Sequence, residues 1–243
     1  MKSFTRLRKK IIAHPWITLL LLTIVVGLFP KANFITRTFL IVSVPVLWGY
    51  GIFILRKQLQ FAIPLLSAGI ILMVFLCLPG SEPDQAKLRA EYIPALKRYE
   101  GTFYIWGGEN KIGIDCSGLV RNGLINANLK LGIITLNPKP IRTAFNMWWN
   151  DCSALALRDG YRNYTTFLFK APDINSIARS ALKPGDIAVT ADGVHVLAYL
   201  VGNLWIEADP CVMRVISVET PSKNPWFTVP VHVLRWTQLM DKQ

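Results

Sequence analysis

Three long apolar stretches occupy most of the first third of the chain, at about residues 11–29, 37–55 and 61–79. Each has about 18–20 residues, the length that a helix needs to cross a hydrocarbon core of about 30 Å. Apart from Arg37 at one edge, they contain no Asp, Glu, Lys or Arg. The pattern therefore predicts a membrane region over residues 1–80 with three transmembrane helices.

Two other interpretations fit this pattern less well. A core helix of a soluble domain of this length would carry a polar stripe, which these stretches lack. The first stretch follows basic residues, as a secretion signal does. However, it is long for the hydrophobic part of a signal, lacks a small-x-small cleavage site before Pro30, and is followed by two more apolar stretches. We therefore interpret it as an uncleaved span.

From residue 81 to residue 243 the pattern changes to that of a folded domain. Helical spacing over 84–99, 116–127 and 141–150 predicts three helices. Segments rich in β-branched residues and punctuated by Gly or Asp then predict five strands, at 186–190, 194–201, 204–208, 212–218 and 229–236. Helices followed by an antiparallel sheet give an α+β fold class.

Charge divides the chain at the same place. The first 81 residues carry nine of the 27 Lys and Arg residues and none of the 15 Asp and Glu residues. The rest of the chain therefore has 18 basic and 15 acidic residues. The high net charge therefore belongs mainly to the membrane region and gives no support to nucleic-acid binding. Seven basic residues lie on the N-terminal side of the membrane and four on the other, which predicts a cytoplasmic N-terminus and a domain outside the cytoplasm.

One short motif, at residues 113–120 (Gly-Ile-Asp-Cys-Ser-Gly-Leu-Val), indicates nucleophilic chemistry. Cys116 lies where a predicted helix begins, and the N–H groups and dipole of a helix N-terminus stabilise a thiolate. A thiol nucleophile needs a nearby base. His195 opens an apolar strand after a glycine and is the candidate base, whereas His232 lies within an alternating strand and is more typical of a structural or solvated histidine.

Four motifs in order resemble the NlpC/P60 family of papain-like cysteine peptidases. They are Tyr-Ile-Trp-Gly-Gly at 104–108, Asp-Cys-Ser-Gly-Leu-Val at 115–120, Leu-Lys-Pro-Gly-Asp at 182–186 and Gly-Val-His-Val at 193–196. The resemblance covers residues 84–210. It implies a papain-like domain with N-terminal helices and a central antiparallel sheet, with Cys116 as nucleophile and His195 as base. It also implies cleavage of cell-wall (peptidoglycan) stem peptides, typically at a γ-D-glutamyl to diamino-acid bond.

The resemblance places the third catalytic residue twelve positions after the histidine, at Glu207. The family commonly has His there, but a carboxylate can also accept from the imidazole and favour its protonated form. Asp209, two residues further on the same face of the strand, is the alternative. Both could instead be ordinary solvated acids at a strand end.

The resemblance also assigns substrate-binding residues. Tyr104 would lie beside the nucleophile and polarise the scissile carbonyl or line the pocket, while Asp115 and Ser117 would meet the free amine of a short peptide. Asp115 is equally suited to cap the helix that begins at Cys116, and the two roles are compatible.

Residues 128–175 form an insertion relative to a minimal member of this family. They include Trp148 and Trp149, which could build a lid or groove wall, rest on the bilayer, or simply fill the core of an added helix. Cys152 and Cys211 could form one disulfide bond, although the sequence does not show that they meet. No Cys/His cluster has metal-ligand spacing and no phosphate-binding loop is present, so we expect a mechanism without metal or cofactor.

The sequence thus predicts a multi-pass protein of a bacterial inner (cell) membrane with a cysteine peptidase domain outside the cytoplasm. Its expected partners are a peptidoglycan peptide substrate and the lipid bilayer. Two alternatives remain open. One is a thiol amidase or acyltransferase that acts on lipid or other amides, and the other is a catalytically silent module that binds the cell wall.

Overall fold

The computed structural model describes residues 15–241 and divides the chain into two units between Leu78 and Pro79. The first unit contains helices α1 (Pro15–Leu28), α2 (Phe34–Leu55) and α3 (Leu59–Cys77). Helix α2 begins three residues earlier than the apolar pattern predicts, because Asn33 accepts a hydrogen bond from Thr36 N and Thr36 Oγ1 accepts one from Asn33 N. This capping box places Arg37 inside the helix, where its side chain is buried.

Two helices of the described residues, α2 and α3, are long and apolar enough to cross a membrane. This criterion rests on length and composition, and a signal sequence also meets it. Helix α1 has 14 residues, fewer than the roughly 20 that a span requires, and residues 11–14 of the first predicted span lie outside the described part. The structure therefore supports two candidate spans rather than the three that the apolar pattern predicts.

The second unit begins with four helices and continues with a sheet. The helices are α4 (Gln85–Lys97), α5 (Cys116–Ile134), α6 (Pro138–Trp149) and α7 (Ala154–Arg158). Helix α5 is almost surrounded, since 13 of its 19 residues are buried. It packs against α4 on one side and α6 on the other. A helix in this position has a fixed N-terminus, which matters because Cys116 is its first residue.

All neighbouring strands of the sheet are antiparallel, in the order β1-β6-β2-β3-β4-β5. Their bounds are β1 (Thr165–Ala171), β2 (Ile187–Thr190), β3 (Val196–Val201), β4 (Leu204–Asp209), β5 (Arg214–Glu219) and β6 (Val231–Trp236). Side chains alternate between two apolar layers, as the pleat requires. Ile187 and Val189 face the helices, whereas Ala188 faces a smaller cluster that includes Trp205 and Phe227.

The motif at 182–186 has a structural explanation. Asp186 is fully buried and accepts two hydrogen bonds from the Arg235 guanidinium of β6, at 2.6 and 2.7 Å, and a third from Lys183 N at 2.8 Å. A bidentate pair of this kind is geometrically specific. It joins the turn before β2 to β6 in the centre of the sheet.

The helices-then-sheet architecture confirms the predicted α+β class. Most boundaries differ from the prediction by one to three residues, and two larger or functionally important differences have a clear physical cause. Helix α5 continues to Ile134 instead of ending at 127, because Asn128 and Leu131 remain on its buried face. Strand β3 starts at Val196 rather than 194, since Gly193 has a φ of 76° and Thr190 Oγ1 accepts hydrogen bonds from Val194 N and His195 N. His195 therefore lies in a turn, just before its strand.

Residues 128–175 contribute the end of α5, α6, α7 and the edge strand β1. The sequence pattern predicts α6 as a helix over 141–150 but misses α7 and β1. The buried residues of this insertion, Ala144, Met147, Cys152, Ala154 and Leu157, belong to the main core, and Trp148 packs against the same core partly buried. The interpretation of the tryptophan region as core filling therefore holds for Trp148.

Candidate active site

Cys116 is the first residue of α5 and is buried, with 6% of its surface exposed. The residue before it closes the helix end. Asp115 Oδ1 accepts from Gly118 N at 2.6 Å and from Ser117 Oγ at 2.9 Å, and Asp115 Oδ2 accepts from Gly107 N at 2.8 Å. The N-cap role expected for Asp115 is therefore present in the structure. The Cys116 thiol lies at the positive end of an ordered, 19-residue helix.

Close packing at this helix start explains the glycine of the motif. A Cβ atom on Gly118 would lie 2.4 Å from the carbonyl oxygen of Gly108. The loop that carries residues 104–108 therefore touches the first turn of α5 directly. Two of the four motifs are neighbours in space for this reason.

The turn before β3 brings His195 to Cys116. The Cys116 Sγ atom lies 4.0 Å from the carbonyl oxygen of Val194. The imidazole is almost fully buried, and its Nε2 atom is 2.7 Å from Glu207 Oε2. This contact leaves Nδ1 as the ring nitrogen available to the thiol.

Glu207 lies in β4, next to β3, and is fully buried. Asp209 is also buried, with 1% exposed, so neither acid is an ordinary solvated residue of a strand end. The histidine hydrogen bond goes to Glu207, and Asp209 instead accepts from Cys211 N at 2.6 Å. The geometry thus favours Glu207 over Asp209 as the partner of His195.

These contacts alter the protonation of both partners. Burial by itself lowers the pKa of the His195 imidazole, but hydrogen bonds and negative charge from Cys116 and Glu207 outweigh burial and raise that pKa to about 9. The pKa of Glu207 is also raised, because burial and the nearby Asp209 carboxylate outweigh the opposing hydrogen bonds from His195 and Asn224. The imidazole is therefore held in its charged form at neutral pH.

Two residues that sequence reasoning missed complete this cluster. Asn224 Nδ2 lies 2.9 Å from Glu207 Oε1 and 2.9 Å from Asp209 Oδ2. The Trp226 ring stacks on the His195 ring, with 4.3 Å between centroids and 23° between planes. Both residues belong to a short 3₁₀ turn between β5 and β6 (Pro225–Phe227, capped by Asn224) that carries no recognisable motif.

A cleft of about 390 Å³ opens at Cys116. Tyr104, Asp115 and Ser117 all line it, so the structure brings the predicted substrate-binding residues to the nucleophile. Burial, followed by the charges of Cys116 and Asp115, raises the pKa of the Tyr104 phenol, which therefore stays protonated and can donate a hydrogen bond. Trp106, 72% exposed, stands at the rim of the cleft.

The insertion forms one wall of this cleft, through residues 151–155. Gly193 fits against that wall, since a Cβ atom there would lie 2.6 Å from Leu155 Cδ1. The inserted segment thus lines the cleft through residues 151–155, whereas Trp148 and Trp149 are not among the lining residues. No disulfide bond joins Cys152 to Cys211, both of which the structure describes; Cys152 is buried in the cleft wall, whereas Cys211 is exposed after β4.

Arg121, a further residue that the sequence did not single out, ties the cleft together. It is buried and forms ion pairs with Glu109 and, at 2.7 Å, with Asp151. Burial opposes its charge, but these two carboxylates outweigh it and raise the pKa of Arg121. Asp192 also lines the cleft, and hydrogen bonds from Thr190 and Val194 N lower its pKa.

Acidic side chains predominate along the cleft, with Glu109, Asp115, Asp151 and Asp192 against the single cation Arg121. Among residues 15–241, no group of three or more His, Cys, Asp or Glu side chains is arranged to hold a metal ion. His232, the other histidine of this unit, packs edge-on against Phe167 at 5.7 Å between centroids, as expected for a structural residue.

Comparison with solved structures gives matches at low identity. NlpC1 from Trichomonas vaginalis is 20% identical, with a TM-score of 0.40, and the match covers 65% of this chain and 46% of that one. The P60 domain of an antigen from M. avium subspecies paratuberculosis is 18% identical over 65% of this chain and 98% of its own, with a TM-score of 0.38. The peptidoglycan hydrolase RipB from Mycobacterium tuberculosis is 19% identical over 68% and 74%, with a TM-score of 0.42.

The chain spans about half the length of NlpC1 and of NlpC2, 46% and 49% respectively. No curated protein sequence matches it. The model of the NlpC/P60 family matches residues 101–235, which is more than half of the chain and includes Cys116, His195 and Glu207. The chain therefore belongs to the NlpC/P60 family.

Proposed function

We propose that this protein is a cysteine peptidase in which Cys116 is the nucleophile, His195 the base and Glu207 the residue that orients His195. The observation that carries the proposal is the buried 2.7 Å contact between His195 Nε2 and Glu207 Oε2 beside a thiol at the start of α5. A nucleophile, a base and a group that orients the base are the three parts that nucleophilic catalysis requires. Membership of the NlpC/P60 family supports the same conclusion.

The mechanism follows from these positions. In the resting site the thiol proton resides on His195, and the Cys116 thiolate of this ion pair attacks the scissile carbonyl carbon. Backbone N–H groups at the start of α5, together with the protonated Tyr104 phenol, stabilise the oxyanion. The imidazolium then donates its proton to the leaving amine, which departs as a thioester forms at Cys116. Water, deprotonated by His195, hydrolyses this thioester and releases the carboxylic acid.

Cell-wall stem peptides are the proposed substrate, with a γ-D-glutamyl to diamino-acid bond as the one cleaved. The acidic cleft supports a substrate that presents a positive charge near the nucleophile, such as a free amine. We assign the contact with that amine to Asp115 and Ser117, and their position in the cleft lining beside Cys116 supports this assignment. Asp115 already accepts three hydrogen bonds, which hold its carboxylate in a fixed orientation.

The proposed setting is a bacterial inner membrane, with the helices of residues 1–80 as an anchor and the peptidase domain outside the cytoplasm. Two helices of suitable length, α2 and α3, support an anchor. For the first apolar stretch we retain the three-span topology, because the apolar sequence extends from α1 back to Ile11. The excess of Lys and Arg on the N-terminal side supports this orientation.

The decisive experiment compares full-length wild type with Cys116→Ala on purified peptidoglycan and measures the released fragments by mass spectrometry. Cys211→Ser is the matched control, because Cys211 is exposed and lies outside the cleft lining. We expect wild type and Cys211→Ser to release stem-peptide fragments and Cys116→Ala to release none. Undiminished release by Cys116→Ala would contradict the proposed nucleophile. Turnover of lipid amides in place of peptidoglycan would show that the protein is an amidase or acyltransferase.

A further inference from the structure

A second carboxylate, Asp209, and one asparagine lie beside the Glu207 partner of His195. Glu207 and Asp209 are both buried, and an oxygen of each carboxylate lies 2.9 Å from the same atom, Asn224 Nδ2. Two carboxylates so close together in a low-dielectric site repel each other and tend to share a proton. A proton on Glu207 would weaken its hold on the imidazolium.

Asn224 occupies the space between these two acids. Its Nδ2 atom makes a 2.9 Å contact with one oxygen of each carboxylate, while its Oδ1 atom accepts from Trp226 N at 3.0 Å. This orientation follows from chemistry, because only the amide NH₂ can donate to two carboxylates and only the amide oxygen can accept from a backbone N–H. Both the NH₂ group and the oxygen of the Asn224 amide therefore form hydrogen bonds.

The same turn also contacts the histidine. Trp226, two residues after Asn224, stacks almost parallel on the imidazole. The same 3₁₀ turn therefore contacts the acids Glu207 and Asp209 through Asn224, and the base His195 through Trp226. The other titratable groups near the acids are the imidazole, the Cys116 thiol beyond it, the Cys211 thiol and, opposite Asp209 on β5, Arg214. The Cys211 N–H donates to Asp209.

We propose that Asn224 is a positioning residue of the active site, which donates to Glu207 and Asp209 together and so keeps the Glu207 carboxylate aimed at His195, while Trp226 fixes the plane of the imidazole. This inference rests on the proposed function, because it assigns a role in a thiolate–imidazolium pair. It extends the site from three residues to a chain of contacts that runs from Cys116 through His195 and Glu207 to Asn224 and Asp209.

Two variants at one position separate this role from that of a helix cap. Asn224→Asp retains the shape and the capping oxygen, and Asp caps helices as well as Asn does, but it replaces the donor by a third carboxyl. Asn224→Ala removes both the donor and the cap. If Asn224 served only as a cap, Asn224→Asp would match wild type at every pH and only Asn224→Ala would differ.

The experiment measures kcat and KM for peptide release by the full-length protein between about pH 5 and about pH 10, so that the range extends past the His195 pKa of about 9. For Asn224→Ala we expect kcat to fall by about tenfold or more while KM changes less than about twofold, since the residue does not touch substrate. For Asn224→Asp we expect the largest loss at alkaline pH, where all three carboxyls are ionised. That loss should narrow as pH falls, because a proton shared among them restores a donor.

A second readout does not require the substrate. Iodoacetamide alkylates thiolates, so the rate at which it modifies Cys116, followed by peptide mass spectrometry, reports the thiolate–imidazolium pair directly. Slower alkylation in both variants, with the pH-dependent recovery confined to Asn224→Asp, supports the proposal. Alkylation and kcat equal to wild type in Asn224→Asp at all pH values would overturn it.

The two readouts also separate this inference from the proposed function. One outcome is that Cys116 of wild type is alkylated rapidly, and that of both variants more slowly as described, while peptidoglycan is not cleaved. In that case the positioning role of Asn224 stands and the substrate assignment fails. If Cys116 in wild type reacts no faster than the exposed Cys211, no activated pair exists and both fail. A thermal unfolding midpoint for each variant controls for folding; should Asn224→Ala not fold, the comparison of Asn224→Asp with wild type decides alone.

Discussion

Single residues around His195 show how burial and charge compete at one site. The imidazole is nearly inaccessible, which on its own would keep it neutral. It nevertheless lies between a thiol and a fully buried carboxylate, and their combined effect raises its pKa to about 9. At His232, burial together with Lys170 and Arg158 outweighs the Asp159 carboxylate and lowers the pKa below the usual value. Two histidines of one domain therefore shift in opposite directions.

Titration of the histidine rings by NMR tests this contrast. We expect the His195 pKa at about 9 and the His232 pKa below 6.5 in wild type. Glu207→Gln removes a charge beside His195 and should lower the His195 pKa, leaving that of His232 unchanged. Assignment uses His195→Gln and His232→Gln, each of which removes one signal. A His195 pKa that does not move in Glu207→Gln would show that Glu207 does not stabilise the imidazolium.

The same shift links stability to pH. Because the His195 pKa is about 9 in the folded chain against 6.5 for an unperturbed histidine, the folded state binds the proton more tightly than the unfolded state. The resulting stabilisation is fully present below about pH 6.5 and is lost as pH rises through about 9. We therefore expect the free energy of unfolding of wild type, relative to His195→Gln, to fall across this window in urea denaturation. A difference that rises with pH would contradict this assignment.

Local sequence patterns could predict only some of these residues. Cys116 and His195 lie within short motifs, whereas Glu207 was expected only from the resemblance to the NlpC/P60 family, with Asp209 as the alternative. Asn224 contacts Glu207 from 17 residues further along the chain, beyond β5 and in a 3₁₀ turn without a motif. Arg121 resembles any polar residue of a helix until Glu109 and Asp151 are folded against it. Contacts of this kind depend on tertiary packing, which periodicity does not encode.

Among the elements, the first part of α5 and the inserted segment before α7 are joined by a buried charge group. Arg121 of α5 binds Glu109 in the preceding loop and Asp151 at the start of the cleft wall. Glu109 is almost buried, whereas Asp151 is about half exposed. The loop, the helix and the wall are thus held together by one guanidinium, and the cleft lies between them.

Replacing this cation should destabilise the domain. Arg121→Met retains apolar volume but leaves the buried Glu109 carboxylate without its partner, so we expect the free energy of unfolding to fall by about 2–4 kcal/mol. The double variant Arg121→Met with Glu109→Gln should recover part of this loss, because the uncompensated charge is removed. Urea denaturation of the full-length protein measures both. If the double variant is no more stable than the single one, the buried charge is not the cause.

The elements of the sheet were largely predictable, and the exceptions have physical causes. Alternation and β-branched residues located five strands, because half-buried strands repeat every two residues. Strand β1 is at the edge, and its sequence mixes exposed and partly buried residues, so its pattern is weak. The turn at Gly193 shortened β3, since the side chain of Thr190 takes the N–H groups that a strand would use.

For the whole molecule, the division of charge and the division of structure coincide. The acid-free segment ends at residue 81, and the two units separate between Leu78 and Pro79. Many large apolar side chains of the first unit are exposed, such as Ile35 at 76% and Ile71 at 67%, whereas the second unit also buries two apolar cores. This exposed apolar surface supports the membrane anchor proposed above.

The number of membrane crossings decides which side each end of the protein occupies, and cysteine labelling can count them. A membrane-impermeant maleimide applied to intact spheroplasts should label the exposed Cys211, as expected for a domain outside the cytoplasm. The variant Ser3→Cys adds a thiol near the N-terminus, far from the four native cysteines, the first of which is Cys77. Three crossings put this thiol in the cytoplasm, so it should be labelled only after lysis.

Two crossings, by α2 and α3 alone, would instead put both thiols on the same side, and Ser3→Cys would label as fast as Cys211 in intact spheroplasts. Peptide mass spectrometry resolves each site, and Cys211→Ser controls for reaction at the other cysteines. Protection of Cys211 until lysis would overturn the outside location whatever the number of crossings. The experiment therefore tests separately the orientation inferred from Lys and Arg and the first span, for which the described helix has only 14 residues.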